Sequence, residues 1–309
     1  MSPAIAVNGL TKQFGKFTAV DSVDMRIPKQ TVYGFLGPNG SGKTTAIRMM
    51  CGLLQPTSGT IEVLGMNIPE QTEQVRRRVG YMTQKFSLYS DLSVLQNMYF
   101  MARIMGVGFR KRTTRINHLL DRFNLASFAH RRAGALSGGQ KRRLALATAV
   151  IHEPQLLLLD EPTSEVDPNT RREFWDELFL MCDSGTTILV TTHLMDEAER
   201  CHHLAIIDEG RKVADGTPES LKTFLQGCLF SIEGSSIALA RSALKDVAEV
   251  LATTQIGMSL RVILDRQVTD GSAFLESLLA DCRVTISQVP PSIEDVFVMS
   301  TRNGENGHG

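Results

Sequence analysis

The chain has 309 residues, 42% of them hydrophobic and 21% charged, which is enough for one large globular domain and a smaller one. Its 33 basic and 33 acidic residues balance to a formal net charge of zero, so bulk electrostatics point to neither nucleic acid nor an anionic surface. Five cysteines (Cys51, Cys182, Cys201, Cys228, Cys282) form no C-x-x-C pair, which favours reduced thiols over a disulfide framework.

Met1-Ser2-Pro3 lacks the basic region and apolar core of a signal peptide. The most apolar window, Leu144 to Leu159, is broken by His152, Glu153, Pro154 and Gln155, short of the roughly 20 apolar residues a membrane span needs. Any membrane role is therefore expected to be peripheral.

Residues 4–8 and 23–27 nearly alternate, as edge strands of an antiparallel piece do. Between them, Phe14 is a candidate for stacking on an adenine ring and Phe17 for core packing. Thr31 to Leu36 then reads as a strand entering Gly37-Pro38-Asn39-Gly40-Ser41-Gly42-Lys43-Thr44-Thr45, and Thr45 to Cys51 as a helix leaving it. That loop fits the pattern of glycine, four residues and glycine-lysine-serine/threonine. Small residues let backbone N–H groups turn inward around phosphates, Lys43 can reach the β- and γ-phosphates, and the Thr44 hydroxyl can ligate Mg²⁺. The helix after it aims its positive end at the same anion.

Thr60 to Leu64 is another strand, and Val75 to Gln84 a short helix ending in a strand, with Gln84 at the carboxyl end where parallel α/β sheets bind ligands. An insert rich in Met, Phe and Tyr follows and reads as a helical subdomain, about residues 86–150. Its Met98, Phe100, Met101 and Met105 suit either a core or an adaptable docking groove. Arg110, Lys111, Arg112 and Arg115 read as a solvated helix face.

Leu136-Ser137-Gly138-Gly139-Gln140 opens a helix running through Ala149. A serine hydroxyl and two glycines there make either a plain cap or a second anion site. Leu156 to Leu159 suit a strand buried on both faces, ending in Asp160 and Glu161. Asp160 suits Mg²⁺ through a water, and Glu161 can polarise an attacking water. After an amphipathic helix over 171–182, a β-branched strand delivers His193, a γ-phosphate contact in this company. Cys201-His202-His203 lacks the further ligands a metal site requires.

Beyond Gly216-Thr217-Pro218 the order is β-α-β-β-α-β, that of a ferredoxin-like fold, followed by a helix from Ile293 and a disordered end over 301–309.

Taken together, the ordered set resembles the ATP-binding cassette (ABC) family: a Walker A loop (37–45), the Gln84 loop, an LSGGQ signature (136–140), a Walker B run (156–161), the loop Ser164-Glu165-Val166-Asp167, and His193. The resemblance covers roughly residues 4–225 and implies an α/β P-loop NTPase domain with an antiparallel β piece and a helical subdomain. A small α+β accessory domain over 226–300 would follow. It further implies ATP and Mg²⁺ as cofactors and a head-to-tail homo- or heterodimer. Ser137, Gly138, Gly139, Gln140 and Asp167 would then meet nucleotide held by the other chain's Lys43. Gln84 would ligate Mg²⁺ together with Thr44 and Asp160, and would sense a membrane subunit's coupling helix.

Tyr81 to Tyr89 and Pro291 to Phe297 are similar to the exporter branch that handles drugs, lipids and polysaccharides. Thr83 stands where that family usually has proline, and Glu165-Val166 replaces a small-hydrophobic pair before Asp167. The resemblance thus implies an ATPase subunit on the cytoplasmic face of the inner membrane, working with an integral-membrane permease. Two alternatives are a soluble cassette ATPase acting on ribosomes or DNA, and a module that binds ATP without turnover. Zero net charge and the lack of a heptad run oppose the first; Glu161 opposes the second.

Overall fold

The computed structural model describes residues 2–164 and 166–305, with side chains through residue 301. Glu165 and residues 306–309 lie outside the described residues. The chain divides into two compact units, one up to Lys212 and one from Val213.

The first unit opens with a hairpin, β1 (Ile5–Phe14) and β2 (Phe17–Ile27), both longer than the two short strands the alternation suggested. The Gly15-Lys16 turn at its tip pairs Phe14 with Phe17. Phe17 is 62% exposed, so the core-packing expectation for it was wrong: at a hairpin tip it has no layer to pack against. With β4 (Ser58–Val63) and β5 (Met66–Ile68) the hairpin forms a four-stranded antiparallel sheet in the order β2-β1-β4-β5.

A second sheet carries the chemistry. It contains β3 (Val32–Leu36), β6 (Val79–Met82), β7 (Leu156–Asp160), β8 (Thr187–Thr192), β9 (His203–Asp208) and β10 (Arg211–Gly216), in the order β10-β9-β3-β8-β7-β6. The pairs β3/β8, β3/β9, β6/β7 and β7/β8 are parallel, so the carboxyl ends of β3, β6, β7 and β8 lie on one edge. The leucines of β7 explain why that strand is wholly apolar. Leu156 and Leu158 join a core with α1 (Lys43–Met50) and the antiparallel sheet. Leu157 and Leu159 face the other way, into a core with Trp175 and the helical insert. Each is 0% exposed, and full burial of such a side chain is worth about 1.5–3 kcal/mol.

The insert consists of α3 (Val94–Ile104), α4 (Phe109–Arg122) and α5 (Gly138–Ala149), reached through α2 (Thr72–Arg76) and β6. Met98, Ile116, Leu119 and Leu144 supply its core. Ser93 starts α3 with a reciprocal capping box to Gln96. After β7 come α6 (Pro168–Asp183) and α7 (Met195–Ala198), which flank β8 in sequence.

The second unit holds α8 (Pro218–Thr223), β11 (Leu229–Gly234), α9 (Ile237–Ala243), β12 (Val250–Ile256), β13 (Ser259–Leu264), α10 (Gly271–Leu278), β14 (Val284–Gln288) and α11 (Ile293–Glu305). Its sheet is antiparallel throughout, in the order β12-β13-β11-β14. Alternating Phe230, Ile232, Leu260, Val262 and Leu264 pack against Leu244, Leu275 and Leu279. The division lies at Lys212, earlier than residue 225, and Arg266 donates to the carbonyls of Thr223 (3.1 Å) and Phe224 (2.6 Å), tying α8 to this unit. The disordered end expected from residue 301 is also corrected. α11 continues to Glu305, and the Thr301 hydroxyl bonds back to the Phe297 carbonyl at 3.0 Å.

Candidate functional site

The site is built where β3, β7 and β8 end. Leaving β3, the chain turns through Gly37 to Gly42, with Gly40 (φ +86°) and Gly42 (φ +98°) in the left-handed region that favours glycine. A Cβ on Gly42 would lie 2.2 Å from the Ala19 carbonyl oxygen, and one on Gly37 2.2 Å from that of Ile207, so neither admits a side chain. Ser41 Oγ is buried with no hydrogen-bond partner among the described residues. An orphan hydroxyl in this loop fits a phosphate oxygen.

Lys43, 4% exposed, starts α1 and donates to the carbonyls of Gly37 and Pro38, each at 2.8 Å. Its Nζ lies 3.7 Å from Glu161 Oε1. Burial pushes its pKa below the usual lysine value, opposed by the carboxylates of Glu161 and Asp160. Thr44 Oγ1 donates to Asp160 Oδ1 at 2.9 Å, and Thr191 Oγ1 donates to the same oxygen at 2.9 Å. Burial raises the Asp160 pKa, opposed by those two hydroxyls. Thr44 and Asp160 thus bring together the hard oxygen donors that Mg²⁺ takes.

Glu161 is the centre of the arrangement. Its Oε2 accepts from Gln84 Nε2 at 3.0 Å and lies 3.3 Å from His193 Nδ1, while its Oε1 faces Lys43. Three sequence-predicted residues therefore converge on the carboxylate of a fourth. Glu161 also has φ +46°, a conformation that costs a non-glycine residue about 1–3 kcal/mol. It is held there by its N–H donating to Thr191 Oγ1 (2.9 Å) and by Ser164 Oγ donating to its carbonyl (3.0 Å). The turn aims the carboxylate off the strand end, where it can orient a water beside a phosphate.

Ser137, Gly138, Gly139 and Gln140 form a separate cluster. Ser137 caps α5, its Oγ accepting from Gln140 N (3.3 Å) while its own N donates to Gln140 Oε1 (3.0 Å). They line a cavity of about 450 Å³ with Arg143, Val166, Asp167 and Thr170. Asp167 caps α6, and the Thr170 N–H it accepts (3.0 Å) holds its pKa below the usual carboxylate range. Asp167 therefore sits with its own chain's signature segment. Phe14 is 49% exposed under the Lys12 ammonium, which is 5.2 Å from the ring centroid. Pro38, Asn39 and Thr45 remain as loop and first-turn residues around Lys43.

Comparison with known proteins identifies the family. The ABC transporter family model matches residues 20–164. Nod factor export ATP-binding protein I of Cupriavidus metallidurans is 37% identical over 303 residues, covering 97% of this chain and 98% of that protein. The chain belongs to the ABC transporter family. A probable multidrug ABC transporter ATP-binding protein of Escherichia coli, YbhF, is 47% identical over 218 residues, 71% of this chain. The chain spans only 38% of YbhF's length. Among solved structures, a dimeric ATP-binding cassette in a post-hydrolysis state bound to ADP and Pi is 26% identical with a TM-score of 0.64, covering 69% of this chain and 98% of that one.

In this ABC protein, further residues that the sequence reading did not assign to the site support it. Arg142, one turn into the signature helix, donates to the Gln84 carbonyl at 2.6 Å and to Ser164 Oγ at 3.2 Å. Thr191 bridges Asp160 and the Glu161 N–H. The paired threonines before His193 were a visible hint, since such hydroxyls at a strand end can serve neighbouring turns. Thr83, the departure from the family's proline, closes the loop's entry by donating to the Lys85 carbonyl at 2.7 Å. Phe86 and Leu88 pack against the helical core, with Lys141 Nζ 5.8 Å from the Phe86 ring. His202 Nδ1 accepts from Val32 N at 3.0 Å, which accounts for that histidine without a metal.

Proposed function

We propose that this ABC protein is the ATP-hydrolysing subunit that energises export of a drug-like molecule, lipid or polysaccharide through a separate permease. The observation that carries the proposal is the meeting of Lys43, Gln84 and His193 on the Glu161 carboxylate, at the end of the phosphate loop's own sheet.

In this reading the loop N–H groups, Ser41 and Lys43 hold the β- and γ-phosphates, and Phe14 stacks on the adenine. Glu161 accepts the proton of the attacking water, while Lys43 and His193 offset negative charge growing on the γ-phosphate oxygens. Thr44, Asp160 and Gln84 are the residues that would hold Mg²⁺, which would there supply positive charge to offset that of the phosphates. Ser137, Gly139 and Asp167 serve the partner chain's nucleotide in a head-to-tail dimer. Two ATP close that dimer because the cross-chain phosphate contacts exist only in the closed state. The dimeric post-hydrolysis cassette bound to ADP and Pi supports a dimer as the working unit.

The names of the relatives, multidrug and Nod factor export, favour transport over the ribosome or DNA alternative. No helix among the described residues is long and apolar enough to cross a membrane, which suits a subunit held at the cytoplasmic face by a permease. A groove of about 720 Å³ is lined by Leu53, Arg76, Arg77, Tyr81, Ile104 and Met105. Its mixed lining, apolar at Leu53, Ile104 and Met105 and charged at Glu73, Arg76 and Arg77, offers a permease helix a seat in the helix-in-groove manner. We read the second unit, with its β-α-β-β-α-β order, as a ferredoxin-like accessory domain.

The test is affinity purification of the tagged chain from detergent-solubilised membranes of its native host. An integral-membrane protein should co-purify in stable ratio. Recovery of the chain with ribosomes or DNA, and none with membranes even when neighbouring membrane proteins are expressed, overturns the reading.

A further inference from the structure

We propose that Glu197 is a positioning residue for ATP hydrolysis: its buried carboxylate clamps the turn carrying Glu161 to the turn carrying His193. The inference rests on the reading of those two residues given above. Glu197 lies in α7 and is 1% exposed. Its Oε1 accepts the Thr163 hydroxyl, and its Oε2 accepts the Thr192 hydroxyl at 2.6 Å.

Each hydroxyl belongs to a turn of the site. Thr163 stands two residues after Glu161, in a turn closed by Ser164 N donating to the Glu161 carbonyl (3.3 Å) and Val166 N donating to that of Thr163 (3.3 Å). Thr192 immediately precedes His193, and its Oγ1 also accepts from Leu194 N at 3.0 Å. His193 is thus the apex of a turn whose two flanks meet at one hydroxyl, and that hydroxyl is anchored by Glu197. The carboxylate's charge is matched by Arg171, whose Nε lies 3.7 Å from Oε1 and whose Nη1 donates to Asp196 at 3.2 Å.

The chemistry of the group fits a clamp. An ionised carboxylate only accepts, and hydrogen bonds from hydroxyls to it are shorter and stronger than those between neutral partners. One rigid acceptor pair spans the ends of β7 and β8, so the two turns move together or not at all. Glu161 and His193, 3.3 Å apart, inherit that fixed separation. Among the described residues Glu197 makes no hydrogen bond or ion pair with the phosphate loop, so its effect is expected on turnover more than on binding.

The test uses the full chain and measures steady-state ATPase and the dissociation constant of a fluorescent ATP analogue. Glu197→Ala should lower kcat by about 10²-fold, the loss that a 1 Å misplacement of a reacting group brings, with analogue affinity changed less than about threefold. Glu197→Gln keeps one acceptor and the side-chain length, and should recover at least about tenfold of that loss. In a Glu161→Gln background, Glu197→Ala should cost less than about threefold further, because the group it positions is already disabled.

A role in packing alone would instead lower kcat by equal factors in both backgrounds, and that result overturns the proposal. So does a parent-like kcat in Glu197→Ala, or a loss that appears in analogue affinity. If the alanine variant fails to fold, Thr163→Val and Thr192→Val each remove one arm. Their kcat losses should then be non-additive, and additive losses reject the clamp. Should Glu161→Gln itself turn over ATP at the parent rate, the assignment of Glu161 fails first and this inference falls with it.

Discussion

The ammonium of Lys43 lies 3.7 Å from Oε1 of Glu161, and both side chains are almost fully buried. Removing one partner of such a pair strands the other charge, at a cost of about 3–5 kcal/mol. Lys43→Met should therefore destabilise the chain as well as abolish phosphate binding. Adding Glu161→Gln should return most of the lost stability without returning ATP binding. Urea unfolding of the single and double variants measures this; a double variant no more stable than Lys43→Met would show that the two charges do not compensate each other.

Asp160 makes an opposite, pH-dependent prediction. Its folded-state pKa is raised by burial, so above that pKa the folded protein bears the cost of keeping the carboxylate ionised. As pH falls through the folded pKa toward the ordinary aspartate range, the folded state takes up a proton before the unfolded chain does, and the penalty fades. Asp160→Asn retains an oxygen to accept from Thr44 and Thr191. Without nucleotide it should be more stable than the parent at neutral pH, with an advantage that shrinks on acidification. Thermal unfolding across pH reads the sign. A variant less stable than the parent at neutral pH would show that the ionised carboxylate is worth more to the fold than its burial costs.

The signature segment and the phosphate loop lie in different parts of the first unit, Ser137 beside Asp167 and Lys43 beside Glu161. A head-to-tail dimer makes each site from two chains. Mixing Lys43→Ala with Ser137→Arg should then rebuild one intact composite site per heterodimer, seen as ATP-dependent dimer by light scattering. An ATP-dependent dimer in the parent but none on mixing would mean that each chain completes its own site.

What could be read along the chain was whatever is local. Gly37 to Thr45 is contiguous, the four leucines of β7 declare burial on both faces, and Ser137 to Gln140 is a capping box within one turn. Arg142 and Glu197 could not be read, because their partners Gln84 and Thr163 lie 58 and 34 residues away and only the parallel sheet brings them together. Phe17 failed for a related reason. An aromatic side chain reads as core, but its place at a hairpin tip leaves it 62% exposed. The Arg266 bonds to the carbonyls of Thr223 and Phe224, which tie α8 to the second unit, likewise leave no mark in composition.

Docking to a permease should be separable from the nucleotide site. Ile104 is 61% exposed at the groove, whereas Phe86 and Leu88 are already committed to the helical core. Ile104→Asp would replace an apolar contact with a charge against an incoming helix, losing the roughly 1.5–3 kcal/mol that burying such a side chain supplies. Recovery with native-host membranes should drop while ATP-analogue binding by the purified chain stays at the parent level. Membrane recovery unchanged by the substitution would move the docking surface elsewhere.

The central claim is that Glu161 is the base of an ATP-hydrolysing site, and Glu161→Gln tests it most directly. The amide can still accept from Gln84 but cannot take a proton from water. Single-turnover hydrolysis by the purified variant should fall by about 10²–10⁴-fold, with ATP binding kept and an ATP-bound dimer accumulating. Hydrolysis at the parent rate would contradict the account.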